Sequence, residues 1–198
     1  MLVPRRVNAD VEVSAVPNDE PPTSTITVVV MGVSGSGKTT VAQCMNEVLG
    51  WPFAEGDDFH PPANVEKMSS GTPLTDVDRT PWLEAVARWI GEQEAAGRSA
   101  IVTCSALKRA YREVLRRDHP SVWFVHVRSS RDALQHRLAA RSGHYMPASL
   151  LASQLETLEP LEDDEPGIAI SGEGSPDEVA ARALDALDQE RGISPGSK

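Results

Sequence analysis

Ile26-Thr27-Val28-Val29-Val30-Met31-Gly32-Val33-Ser34-Gly35-Ser36-Gly37-Lys38-Thr39-Thr40 carries an apolar, β-branched run into a loop of the form G-x-x-x-x-G-K-T, and an amphipathic stretch follows at once. Strand, glycine loop and helix in that order form the context a phosphate-binding loop requires. Glycine reaches backbone angles closed to other residues, so successive N–H groups can turn inward around a phosphate. The helix opening near Lys38 adds unpaired N–H groups and the positive end of its dipole. A glycine-rich turn with an accidental lysine would need neither flank. The segment Gly32, Val33, Ser34, Gly35, Ser36, Gly37, Lys38, Thr39, Thr40 is therefore expected to bind ATP. Lys38 would reach the β- and γ-phosphates and the Thr39 hydroxyl would hold Mg2+.

A chain of 198 residues suffices for one domain with a proper core. Its longest apolar run stops at Gly32, far short of the roughly 20 residues of a membrane helix, and the N-terminus has no signal-like segment. Cys44 and Cys104 lie in apolar patterns without metal-ligand neighbours, as small core residues in a reducing compartment do. A cytoplasmic address is expected, with no membrane partner. The net charge of −10 argues against a nucleic-acid surface.

Residues 1–24 hold four prolines, scattered charge and no periodicity, so a disordered extension is expected before a single domain over 25–191 and a frayed tail at 192–198. Strands are predicted at Thr25–Met31, Trp51–Glu55, Ser99–Cys104, Val122–Val127 and Gly167–Ser171. Helices are predicted after the loop, near Ala63–Ser69, from Thr80-Pro81 to Gly97, over Lys108–Arg117, from Ser130 to about Arg141, over Pro147–Leu158 and after the capping box Ser175-Pro176-Asp177-Glu178. The alternation gives an α/β domain with a five-stranded parallel sheet covered by helices on both faces. Ligands belong at the carboxyl ends of the strands, where Gly32–Lys38, Gly56–His60, Cys104–Lys108 and Arg128–Ser130 meet.

Phosphoryl transfer needs positioning, charge neutralisation and a group that orients the attacking oxygen. Asp57 and Asp58 follow strand two, and a carboxylate there can take a hydroxyl proton or hold Mg2+; both are also ordinary turn residues. Asp57 is the preferred catalytic and metal candidate. His60 can bond substrate oxygens or serve the loop. Lys67 and Arg79 can meet an anionic substrate, or pair with Glu66 and Asp78. Lys108 and Arg112, one helical turn apart, are expected to face a carboxylate or the γ-phosphate. Arg137 and Arg141 have the same spacing and are expected to close over the phosphates from a flap at about 130–158. Strand three ends without the aspartate of a second metal-binding motif, so Mg2+ would rest on Thr39, phosphate oxygens and Asp57.

Beyond the loop, Glu55-Gly56-Asp57, His60-Pro61, Asn64-Val65-Glu66-Lys67-Met68, Gly71-Thr72-Pro73-Leu74, Asp76-Val77-Asp78-Arg79, Pro81-Trp82-Leu83, Cys104-Ser105-Ala106-Leu107-Lys108, Tyr111-Arg112 and Gln154-Leu155-Glu156-Thr157-Leu158-Glu159 closely resemble the P-loop gluconokinases. The resemblance spans about Ile26 to Leu187. It implies a nucleoside-monophosphate-kinase-like fold with a helical lid, use of Mg2+, and transfer of the ATP γ-phosphate to the 6-hydroxyl of D-gluconate. It also implies a homodimer. The residues alone reach only a small-molecule kinase with an anionic or hydroxylated acceptor. A shikimate-type kinase, or a nucleotide-binding regulator without turnover, are the alternatives.

Overall fold

The computed structural model describes residues 25–140 and 149–192. The expected N-terminal extension, the end of the tail and the middle of the flap lie outside those residues. Five strands form one sheet in the order β2-β3-β1-β4-β5 and every pair is parallel: β1 (Thr27–Met31), β2 (Phe53–Glu55), β3 (Ala100–Cys104), β4 (Val122–Arg128) and β5 (Gly167–Ser171). The helices are α1 (Lys38–Leu49), α2 (Pro62–Ser69), α3 (Asp76–Ala95), α4 (Arg109–Arg116), α5 (Arg131–Ala140), α6 (Ser149–Thr157) and α7 (Pro176–Arg191).

The central strand is buried on both faces, as its unbroken apolar run requires. Val28 and Val30 pack with α1 and α7, while Val29 and Met31 pack with α3 and α4. Register places Met31 beside Cys104 of β3 and His126 of β4, so three strand ends open on one rim.

One helix begins earlier than its sequence suggests. The predicted start at Thr80-Pro81 lies inside α3, which opens at Asp76. Thr75 and Asp78 form a reciprocal capping box there, and Pro81 falls in the second turn. The carbonyl that Pro81 leaves without a donor belongs to Val77, which is 82% exposed, so water can take the missing bond.

The rim is also where clearance is smallest. A Cβ on Gly56 would lie 1.9 Å from the Thr103 carbonyl oxygen. Only glycine lets the chain leave β2 against β3 and aim Asp57 across the strand ends. Gly56→Ala is therefore expected to cost about 3 kcal/mol or more, a fall of roughly 6–12 °C in melting temperature for a domain of this size. Thermal unfolding checks it; an unchanged Tm would mean the β2–β3 contact yields freely.

Candidate active site

The phosphate loop is held from behind. A side chain on Gly32, at φ 146°, would come within 2.8 Å of both the Val127 carbonyl oxygen and Ser36 Oγ. The Ser34 N–H donates to Gln154 Oε1 at 2.7 Å, which ties the loop to α6 across 120 residues of chain. Arg137 Nη1 donates to the Ser36 carbonyl at 3.1 Å and to Ser129 Oγ at 3.2 Å, and its Nη2 donates to the Gly172 carbonyl at 2.8 Å. Gly37 precedes α1 without a side-chain cap, so the first amides of the helix remain for a ligand. Ser36 Oγ is buried with no partner. A cavity of about 340 Å³ runs from Gly35–Gly37 and Thr40 to Gly172, Gly174 and Pro176 beyond β5, a volume within the small-ligand range.

On the opposite side of β3 stand the acceptor candidates. Asp57 and Asp58 lie in the 3-10 turn Gly56–Phe59, Asp57 half-buried and Asp58 exposed. His60 stacks on Trp82 with ring centroids 4.2 Å apart, and Trp82 Nε1 donates to the Gly56 carbonyl at 2.7 Å. Burial lowers the His60 pKa to about 4, and the Arg79 charge adds to this against the opposing pull of Asp57. His60 is therefore a neutral imidazole at pH 7. At the end of β3, the Cys104 thiol is pushed up to about 12, chiefly by burial; the Asp57 charge raises it further, and the Lys38 and Arg79 charges oppose the rise.

The other cations divide into tied and untied. Lys67 pairs with Asp78 at 2.5 Å, the second of the two roles its sequence left open. Lys108 is half-exposed and bonds both oxygens of Asp76 at 2.8 and 2.9 Å; this bond and that of Tyr111 hold the Asp76 carboxyl below its usual range. Arg79 lies over the Tyr111 ring at 5.6 Å.

Arg112 corrects the expectation placed on it. It does not share the ligand face with Lys108; its side chain is fully buried, bonded to Glu165 at 2.6 and 2.7 Å. It also donates to the carbonyls of Ala106, Leu107, Glu159 and Pro160. No donor remains for a substrate. Arg137 is likewise engaged with loop carbonyls at the nucleotide cavity, and Arg141 lies outside the described residues. Thr39 is half-buried at the start of α1.

Comparisons with known proteins agree with this arrangement. Residues 28–161 match the AAA domain family. The chain is 60% identical over 152 residues to a gluconokinase of Gluconobacter oxydans, covering 77% of this chain and 85% of that one. It is 40% identical to the thermoresistant gluconokinase of Escherichia coli, covering 72% and 81%. The structure of a gluconokinase from Sinorhizobium meliloti superposes with a TM-score of 0.75 at 44% identity, over 85% of this chain and 95% of that one. The chain belongs to the gluconokinase family.

Within that gluconokinase frame, several residues escaped sequence reasoning. Glu55 ends β2 and accepts a bond from Thr103 Oγ1, beside the strand-three end that lacks an aspartate. Asp76 and Tyr111 organise Lys108. Gly172 and Gly174 close the nucleotide cavity, and the Gly-x-Gly-Ser-Pro run after β5 was the available signal.

Two outcomes follow from these energetics. Arg112→Leu should cost about 3–5 kcal/mol because it strands a buried carboxylate. The pair Arg112→Leu with Glu165→Leu should recover part of that loss; chemical denaturation of the three proteins measures it. His60 and His126 both have folded pKa values lowered to about 4 from 6.5. Stability is therefore complete above pH 6.5 and declines as pH falls toward 4, since the unfolded chain takes the protons first. His60→Gln with His126→Gln should flatten that decline in a pH series of unfolding midpoints.

Proposed function

We propose that this protein transfers the γ-phosphoryl group of ATP to the 6-hydroxyl of D-gluconate, giving 6-phospho-D-gluconate and ADP. The observation that carries the reading is the glycine loop whose following helix opens uncapped on a cavity of about 340 Å³, in a chain that matches gluconokinases over most of their length. The cavity along Gly35–Thr40 takes the triphosphate on backbone amides, with the base toward Gly172–Pro176. Lys38 neutralises charge on the transferred group. Asp57 accepts the proton of the attacking hydroxyl. Lys108 and Arg79 receive the sugar-acid carboxylate, and neutral His60 bonds a substrate hydroxyl from its place on Trp82.

Among the described residues no group of three or more His, Cys, Asp or Glu could by itself hold a metal ion. That fits a magnesium ion carried in with ATP, for which Thr39 and Asp57 supply the protein oxygens. When bound it neutralises phosphate charge. We further infer a cytoplasmic homodimer that binds neither nucleic acid nor membrane. Two free thiols support a reducing compartment, and the net charge of −10 weighs against a nucleic-acid surface.

A coupled assay over a panel of sugar acids, shikimate and nucleoside monophosphates tests the acceptor. Gluconate-dependent ADP release is expected, and release with another acceptor alone would overturn the reading. Lys38→Ala should abolish turnover with little change in the ligand-free melting temperature. Asp57→Asn should lower kcat by about a hundredfold or more, leaving the KM for ATP nearly unchanged.

A further inference from the structure

A second cavity, of about 330 Å³, lies between the ends of β4 and β5, the phosphate loop and α6. It shares no lining residue with the nucleotide cavity. Most of its wall is apolar: Val33 from the loop, Leu155 from α6, and Leu158 and Leu161 just beyond it. Two polar groups on β4 break that wall. His126 is 4% exposed, and its Nδ1 is buried with no hydrogen-bond partner. Arg128 is exposed at the strand's end, and its side chain has no hydrogen-bond or ion-pair partner among the described residues.

The chain carries ten more negative than positive charges, and while Lys67, Lys108, Arg109 and Arg112 are paired with carboxylates, the Arg128 guanidinium has no such partner among the described residues. An unspent guanidinium at the mouth of a leucine-lined cavity, with an unsatisfied imidazole beneath it, matches one chemical class. The class is a single anionic headgroup on an apolar skeleton. Arginine's planar fork recognises carboxylate and phosphate oxygens, and the volume lies at the lower end of the small-ligand range of roughly 300–1,000 Å³. A nucleotide, with its several charges, does not suit the leucine wall.

The cavity also has a mechanical connection to catalysis. Val33 lines it and is followed by Ser34, whose N–H is held by Gln154. Gln154 precedes Leu155, another lining residue, on α6. Val33 and Leu151 belong to one small apolar cluster against which Leu155 and Leu158 pack. A ligand that wedges between loop and helix acts on the Ser34–Gln154 bond, one of the side-chain bonds that fix the loop.

We propose that this cavity is an effector site for a small amphipathic anion held by Arg128 and His126, and that its occupancy changes the affinity of the phosphate loop for nucleotide. Coupling of this kind is reciprocal, so ATP would change effector affinity by the same factor.

Hexanoate, hexyl phosphate and 1-hexanol at millimolar concentration test it on the full chain. Binding to the folded state alone should raise the melting temperature by about 2 °C or more with one or both anions, and not with hexanol. The anion that acts tells a carboxylate source from a phosphate ester. The same anion should shift the KM for ATP by about threefold or more. Arg128→Ala removes the charge, and Ala169→Trp fills the cavity from the exposed face of β5. Each should abolish both responses while basal kcat stays within about twofold. If one variant fails to fold, the other still decides. A melting shift equal with hexanol, no shift with either anion, or a response that survives Ala169→Trp would overturn the proposal. The melting readout needs no turnover, so its outcome stands apart from the acceptor assay.

Discussion

Backbone amides can hold a triphosphate only where the loop that presents them cannot relax toward their own hydrogen-bonding needs. A free glycine loop would fold its N–H groups onto nearby carbonyls or water. Here one such bond forms, from the Ser36 N–H to the Val33 carbonyl, and the surrounding structure restrains the rest of the loop at three points. Gly32 is wedged against the Val127 carbonyl, the Ser34 N–H is taken by Gln154, and the Ser36 carbonyl is taken by Arg137. What stays unpaired is the set of amides at the opening of α1, together with the buried Ser36 hydroxyl. The burial of β1 on both faces makes those restraints rigid, because the loop begins where an immobile strand ends.

Charge is distributed by the same logic. The acidic stretch Glu159–Glu165 serves as counter-ion to α4: Arg109 meets Glu162 and Asp164, and Arg112 meets Glu165. Their bonds fix the turn from β3 into α4, where Ala106 sits at φ 34°. A non-glycine residue with positive φ is strained and persists only where its surroundings impose it. Arg112, which donates to the carbonyls of Ala106 itself and of Leu107, braces that turn. The fixed turn in turn places Lys108 at the rim.

Local signals were legible in the sequence and long-range ones were not. The G-x-x-x-x-G-K-T loop, all five strands to within two residues and the Ser175 capping box follow from patterns a few residues long. The true start of α3 was visible in Thr75-x-x-Asp78, but the stronger-looking Thr80-Pro81 obscured it; Pro81 is tolerated because it falls where water replaces its bond. Arg112 failed for another reason. Spacing of i, i+4 puts two cations on one side of a helix, and Lys108 proved to be the residue before α4, where the chain is extended. Which side of α4 faces the core depends on Glu165, 53 residues away. The tie between Gln154 and Ser34 likewise has no local signature.

The contrast between Lys108 and Arg112 also shows how a free site can keep cations available without leaving them bare. Lys108–Asp76 is an open pair, and such pairs contribute only about 0–1 kcal/mol. In the proposed reaction an incoming carboxylate would displace Asp76 from Lys108 at that cost, with Tyr111 still bonded to the Asp76 side chain. Arg112–Glu165 cannot exchange in this way, since separating a fully buried pair costs several kcal/mol. One salt bridge is therefore open to exchange with water and other ions and the other a fixed pin, although both cations lie at the start of the same helix. Burial of the guanidinium, and not its position in the sequence, separates the two.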